Sequence, residues 1–469
     1  MSRPRGPHLT PDLLAELRRR VGDEALLAAE DDLERYDHDY TEAFRFTPEA
    51  VLLPSSPDQV AEILRFATEH RLPVTPRGAG TGLSGGALAV HGGLCLSLER
   101  LDRIRGIDER NLSVEAETGV VTGELQRRVE EVGLFYPPDP ASRDTCFLGG
   151  NLAENSAGPR SCKYGTTRRW VLGLEAVLAD GSIVRTGGAN RKDVAGYDLT
   201  QLLVGSEGTL AVITAATLRL IAKPAATLTL AIPFPELEQA AEMVETLFHQ
   251  GFSPAACELI EERALLVADR LEPLPAALRQ QGAVLMLELD GDSDDDLLEE
   301  AAGLGALAET LGAGTVLAAQ DAAEQRRLWM VRESLGEATR AASIFKSADT
   351  VAPRSRLVDL VRAARKAAAD HGLEALCFGH AGDGNLHVNL LRGDLDEETW
   401  RLRLEQAEAQ LFAAVADVGG SVTGEHGIGW TQRRYLPLVR NDAAIAVMRR
   451  IKDAFDPLGI LNPGKVFPI

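Results

Sequence analysis

The chain is short of cysteine: five in 469 residues, at Cys95, Cys146, Cys162, Cys257 and Cys377. They are scattered, odd in number and never spaced C-x-x-C, which excludes a four-cysteine zinc or iron–sulfur motif and fits unpaired thiols in a reducing compartment. Basic residues are also in deficit, 49 Lys and Arg against 70 Asp and Glu, for a formal net charge of −21. A chain so acidic lacks the basic patches that grip a nucleic-acid backbone or an anionic membrane surface. No stretch reaches the roughly 18 apolar residues of a membrane-spanning helix. The basic, proline-bearing start of the chain has no apolar run behind it, so no secretory signal is read and a cytoplasmic location is expected. Repeats and low-complexity linkers are missing too.

What is present is a soluble globular composition, 45% hydrophobic and 25% charged, long enough for two or three domains. Glycine is high, at 44 residues. Helices are expected at 12–20 and 58–70, the second opened by the cap-then-proline signature Ser56-Pro57-Asp58. Short β-rich runs at 94–98, 112–115, 172–178 and 211–220 alternate with glycine turns, with a helix at 122–132. The pattern changes after Lys223-Pro224, a domain boundary. Strands at 227–232, 255–260, 283–289 and 315–319 then alternate with helices at 236–250, 261–270, 294–311 and 321–342. Such alternation suits an α+β domain with an antiparallel sheet as well as a parallel one. A further helix is read at 398–417, and the tail is helical before Asn462-Pro463-Gly464-Lys465.

The densest glycine cluster is Pro76-Arg77-Gly78-Ala79-Gly80-Thr81-Gly82-Leu83-Ser84-Gly85-Gly86. It contains a literal G-x-G-x-x-G, but the dinucleotide fingerprint needs a helix directly afterwards, and Ala87–Val90 runs instead into His91-Gly92-Gly93 and a strand. A Rossmann fold is therefore rejected. Five glycines in nine residues still permit left-handed backbone and close approach, and consecutive N–H groups make an anion nest to which Thr81 and Ser84 add hydroxyls. Phosphate cradling is preferred over a ligand-free multi-turn connection. Two more segments share this character: 148–158 followed by Lys163-Tyr164-Gly165, and 197–210 with Gly205-Ser206-Glu207-Gly208.

A different signal lies at Gly379-His380-Ala381-Gly382-Asp383-Gly384-Asn385-Leu386-His387-Val388-Asn389. Asp-Gly favours a two-residue hairpin turn, and a turn centred on Asp383-Gly384 pairs 380 with 387. His380 and His387 then face each other with Cβ atoms roughly 5 Å apart, a separation that suits one metal ion. Gly424-Glu425-His426-Gly427 offers a third ligand. Two histidines and a carboxylate make a catalytic zinc, manganese or iron site. The competing possibility is a polar hairpin whose histidines only hydrogen-bond. Three of nine histidines beside glycine turns and a carboxylate favour the site.

Together the three glycine segments resemble the flavin half of the vanillyl-alcohol oxidase / p-cresol methylhydroxylase superfamily. H-x-G-D-G-N-x-H and G-E-H-G-I-G resemble motifs of its D-2-hydroxyglutarate dehydrogenase, D-lactate dehydrogenase and glycolate oxidase flavin-subunit branch. The resemblance implies an α+β chain with a two-part FAD-binding domain at 1–222. It further implies a substrate-capping domain with an antiparallel sheet and the metal hairpin at 223–420, and a segment, 421–469, returning to the flavin domain. It assigns to FAD Arg77, Gly78, Ala79, Gly80, Thr81, Gly82, Leu83, Ser84, Gly85, Pro138, Gly150, Asn151, Asn155, Ser156, Gly158, Glu207, Gly208, Ile213 and Asn462. Residues 76–86 hold no histidine, so the flavin is expected to be noncovalent.

By the same resemblance His380, His387 and Glu425 are ligands of a divalent metal, zinc or manganese before iron. His426 is the base, Asn389 and His380 meet substrate, and Arg332, in Leu328-Trp329-Met330-Val331-Arg332, clamps the substrate carboxylate. The implied reaction is oxidation of a D-2-hydroxy acid to the 2-oxo acid, with hydride passing to flavin N5. The substrate is a small anionic 2-hydroxy acid such as D-lactate, D-2-hydroxyglutarate or glycolate. An electron-transfer flavoprotein, a quinone or a partner iron–sulfur subunit is the expected acceptor, with a homodimer and peripheral membrane association through a partner also in view. Where the hydroxyglutarate enzymes carry threonine and lysine, this chain has Gly336 and Ser347, with Lys346 one residue away as a substitute. That departure leaves lactate- or glycolate-like substrates open. The rivals are an oxidase that uses oxygen, an alkyl-glycerone-phosphate synthase-like transferase, and a flavin subunit of a larger glycolate oxidase-type complex.

Overall fold

The computed structural model describes residues 8–41, 44–271 and 273–467, so the basic start of the chain at 1–7 lies outside the described residues. Two compact units result. The first comprises 1–157, 166–223 and 425–469, the second 158–165 and 224–424.

In the first unit, strands Ala50–Leu52, Leu94–Ser97 and Val74–Arg77 run parallel, with Leu26–Leu27 antiparallel at the edge. Helix Pro57–His70 forms where the sequence reads it: Ser56 Oγ accepts from Gln59 N at 3.2 Å, a proline sits in the first turn, and Arg71 closes the helix in left-handed geometry. Its Val60, Ile63, Leu64 and Ala67 are fully buried with Leu72, Val74, Leu94 and Leu96. Each leucine-sized side chain so buried contributes about 1.5–3 kcal/mol. A second sheet is wholly antiparallel, ordered Ile104–Asp108, Ser113–Glu117, Val212–Arg219, Val171–Val177 and Ile183–Gly187. The returning tail joins the first unit through Asn462 N, which donates to Val74 O at 2.7 Å.

The second unit is built on one seven-stranded sheet. Its order is Leu317–Ala319, Ala226–Phe234, Ala283–Gly291, Ala256–Glu261, Glu374–Gly379, Asn385–Leu391 and Phe345–Val351. Every pairing is antiparallel, which decides the alternative the alternation had left open. The 158–165 segment is pinned to this sheet by Arg160 on Glu288, Nε to Oε1 at 2.7 Å, by Tyr164 Oη on Asp290 Oδ2 at 2.5 Å, and by Lys163 on Asp290. The single helix expected at 321–342 is two, Ala322–Glu333 and Leu335–Ala342. The division falls at Ser334, whose hydroxyl turns back to the Val331 carbonyl at 3.4 Å, a local bond that competes with regular helix. Among the described residues, no helix is long and apolar enough to cross a membrane.

Candidate active site

In the first unit, strand Val74–Arg77 delivers the chain into the glycine loop, and residues 87–93 pass through turns into strand Leu94–Ser97 with no helix between. Gly80 and Gly85 are left-handed, at φ +77° and +76°. The loop closes over Arg77: a Cβ on Gly80 would lie 2.1 Å from Arg77 Nη2. Gly82 and Gly150 face open space, while a Cβ on Gly78 would lie 3.5 Å from Gly150 N. Arg77 Nη1 and Ser84 Oγ are buried and have no hydrogen-bond partner among the described residues. Buried donors in that state need an acceptor. Beside backbone left open by glycine, they fit the diphosphate of a dinucleotide.

The other residues expected at the flavin divide by what they already hold. Asn155 is left-handed, at φ +57°, and its Oδ1 accepts from Thr166 Oγ1 and Arg168 N. Asn151 Nδ2 bonds Thr122 Oγ1 at 2.5 Å, and Ser156 Oγ bonds Thr167 Oγ1 at 3.2 Å. The Pro138 carbonyl accepts from Gln126 at 2.8 Å, Ile213 is buried in its strand, and Gly208 lies at φ +66° against Pro76. Gly158 falls in the second unit, its N–H donating to Ser161 Oγ. Asn462 is also engaged by the protein. Its amide spends both protons on the carbonyls of Gly86, at 3.0 Å, and Glu207, at 2.8 Å, so it buttresses the loop from behind.

Under that loop lies a buried charged cluster the glycine pattern did not reveal. Glu207 accepts from Ile428 N at 2.9 Å and Gly429 N at 2.6 Å, which ties the Gly427–Gly429 turn to the flavin half. Glu154 Oε2 is buried without a hydrogen-bond partner among the described residues. Burial, then the neighbouring Glu207 charge, pushes the Glu154 carboxyl well above its ordinary range. Lys465 donates to Leu88 O at 2.7 Å, Asn462 Oδ1 at 3.0 Å and Gly86 O at 3.2 Å. Burial lowers it to about 7 against the opposing pull of Asp39, Glu207 and Glu154. Glu425 and His426 open this unit's last segment, half-buried, with Glu425 Oε1 3.7 Å from His426 Nε2.

In the second unit the histidine hairpin forms, but with a different turn. His387 pairs with Phe378 rather than with His380, and a five-residue loop, 380–384, replaces the expected two-residue one. Tertiary contacts select the wider loop. Arg354 Nε donates to the Gly382 carbonyl, Asn385 N to His380 O at 3.1 Å, and the Asn385 amide to Asp349 Oδ1 at 2.7 Å and Thr350 O at 2.8 Å. The two imidazoles nevertheless meet edge to face, ring centroids 5.2 Å apart, both buried. A pair of buried imidazoles at this distance is a donor set that fits a borderline divalent metal.

Two carboxylates organise this unit's polar centre. Glu258, in strand Ala256–Glu261 and fully buried, accepts from His380 Nδ1 at 2.6 Å through Oε1 and from Arg332 Nε at 2.6 Å through Oε2. Burial alone would raise its pKa. The His380 and Arg332 charges outweigh that and hold it at about 2. Arg332 stacks on Phe378 at 4.9 Å, is 13% exposed, and makes no hydrogen bond through Nη1 or Nη2 among the described residues. Asp349 accepts from Thr423 Oγ1 and Gly424 N, both at 2.8 Å, and so fixes the backbone that leads into Glu425. Neither acid was foreseen. Glu258 shares its strand with Glu261, and Asp349 shares its own with Lys346, so neither stands out by position.

Register also decides the fate of Lys346. Ser347 pairs with Asn389 and Asp349 with His387, so these four share one face. Lys346 pairs with Leu390 on the opposite face, which removes it as a stand-in for a lysine at 347.

Comparison with known proteins accords with this geometry. Residues 48–187 match the FAD binding domain family, and residues 223–466 match the family described as FAD linked oxidases, C-terminal domain. The chain is 40% identical over 435 residues to a protein named glycolate oxidase subunit GlcD of Bacillus subtilis (strain 168), covering 92% of each. It is 33% identical over 468 residues to a D-lactate dehydrogenase of Anaerostipes hadrus, covering 98% of each. The crystal structure of p-cresol methylhydroxylase with substrate bound has the same fold, with a TM-score of 0.81 at 17% identity over 97% of this chain and 96% of that one. The chain belongs to the FAD-linked oxidases and is a flavin-dependent oxidoreductase.

Proposed function

We propose that the chain oxidises a short D-2-hydroxy monocarboxylic acid, such as D-lactate, to the 2-oxo acid. The observation that carries this reading is the buried Arg332–Glu258–His380 constellation, a cationic fork held beside a histidine pair. The names of the two curated relatives support the substrate class.

FAD, held by the 77–86 loop, and a divalent metal, held by His380 and His387 with Glu425 as the carboxylate, supply the two-electron acceptor and Lewis-acid polarisation of an alcohol. Arg332 binds the substrate carboxylate through the Nη1–Nη2 edge, in the bidentate geometry a guanidinium provides. Asn389, buried and only weakly engaged by the Leu376 carbonyl at 3.5 Å, contacts the substrate's polar end. His426 takes the hydroxyl proton as an imidazole general base. Ser347 on the Asn389 face, with Lys346 turned away, leaves no cation at that register for a second carboxylate. D-Lactate should therefore be used in preference to D-2-hydroxyglutarate.

The purified chain, given an artificial dye acceptor, should reduce it with D-lactate or glycolate. Activity should fall on exhaustive chelation and return with zinc or manganese. A rate indifferent to chelation would remove the metal from the account. A second reading has its own support, since the Bacillus subtilis relative is named a subunit. In that case electrons leave through a partner chain, because no cysteine spacing here suits an iron–sulfur centre. Dye reduction by the isolated chain, with no turnover on physiological acceptors until a partner is added, identifies that arrangement.

A further inference from the structure

We infer that Glu258 is a positioning residue, one carboxylate that aligns the substrate-clamping Arg332 and the metal-binding His380 at the same time. The inference rests on the proposed function for the roles of those two groups and goes beyond it in naming what holds them.

A carboxylate with no exposed surface, flanked in its strand by Cys257, Leu259 and Ile260, is expensive to maintain unless fully paired. Glu258 is paired once per oxygen, to groups that arrive from separate elements. Arg332 comes from helix Ala322–Glu333 and His380 from the loop after strand Glu374–Gly379. Each bond has a consequence for chemistry. Holding Arg332 by Nε orients the guanidinium so that its Nη1–Nη2 edge is the one presented to an anion. Accepting a hydrogen bond from His380 Nδ1–H fixes the tautomer in which Nε2 carries the lone pair a metal requires. Because both partners share one rigid carboxylate on a central strand, the spacing between clamp and ligand is set by the width of that group. A salt bridge serving only to neutralise Arg332 would not need the second oxygen on an imidazole.

Glu258→Gln keeps the volume but turns one amide N–H against Arg332 Nε–H or His380 Nδ1–H. The variant should retain its flavin. By equilibrium dialysis, its affinity for Zn2+ or Mn2+ should fall roughly 10- to 100-fold, the usual scale for removing a ligand's carboxylate partner. The KM for a D-2-hydroxy acid should rise with it. Glu258→Asp, which keeps both acceptors on a shorter stem, should restore part of each. Unchanged metal affinity and KM in a flavin-loaded Glu258→Gln protein overturn the inference while leaving the proposed function intact. A wild-type chain that takes up neither metal nor substrate overturns both. If Glu258→Gln fails to fold, the wild-type chain labelled with 15N-histidine still decides the matter, with His380→Ala identifying the signal. An Nδ1–H tautomer for His380 supports the inference, and an Nε2–H tautomer overturns it.

Discussion

The glycine loop of the first unit and the histidine hairpin of the second are made specific in opposite ways. The loop works by leaving side chains out. Gly80, Gly82 and Gly150 open the backbone, and the buried donors Arg77 Nη1 and Ser84 Oγ have no hydrogen-bond partner among the described residues. The hairpin works by locking side chains in, with His380 and Arg332 bonded to Glu258, and Asn385 and Gly424 bonded to Asp349. The lesson is that a missing side chain is visible in a sequence, whereas a buried partner is not. It also separates the expected failures, since damage to the hairpin should stop chemistry and damage to the loop should release the flavin.

The largest effect should come from the proposed base, His426, which lies outside both elements in the first unit's last segment. His426→Ala should keep the yellow flavin while dye reduction by a D-2-hydroxy acid falls at least ~100-fold, the scale of a lost general base. Wild-type turnover in that variant removes His426 from the role. Next comes the loop. Gly80→Ala adds a Cβ 2.1 Å from Arg77 Nη2 at a backbone φ of +77°, a conformation costing an L-residue about 1–2 kcal/mol. Flavin content after dialysis should show retention weakened by about tenfold or more. Full retention would mean that the loop is not the cradle.

A subtler contrast concerns pH. Burial depresses Lys465 from 10.5 to about 7, so between those values the folded chain holds fewer protons than the unfolded one and stability rises with pH. Glu258, depressed from 4.5 to about 2, works on the acid side: its stabilisation is present above 4.5 and is lost as pH falls toward 2. In urea titrations Lys465→Met should flatten the alkaline rise and leave the acid-side loss unchanged. An unchanged alkaline slope would show that the buried ammonium is not its source. The smallest effect is Lys346→Ala, expected to alter kcat/KM for D-lactate by no more than about twofold, as for a side chain away from the site. A large loss would contradict the register that turns Lys346 from Asn389.

Much of the fold could be read from the sequence because its signals are local. Capped helices such as Pro57–His70, alternating strands and the three glycine segments all announce themselves within a dozen residues. The sequence is least legible where distant contacts prevail. An Asp-Gly dipeptide prefers a two-residue turn, yet Arg354 on Gly382 and Asp349 on Asn385 widen the loop to 380–384. Residues 158–165, beside a flavin motif in sequence, belong to the second unit through Glu288 and Asp290, more than a hundred residues on. Asn462, assigned to FAD by resemblance, also bonds the distant Gly86 and Glu207 carbonyls. Glu258 and Asp349 were illegible for a related reason. A buried acid is marked by its partners, and those come from other elements.

The most direct test of the proposed chemistry is flavin bleaching without oxygen, using matched D- and L-2-hydroxy acids and no other acceptor. Loss of the oxidised flavin absorbance with D-lactate, little with D-2-hydroxyglutarate and none with L-lactate is the predicted result. Bleaching by the L-enantiomer, or none by any 2-hydroxy acid in a fully flavin-loaded protein, would contradict it.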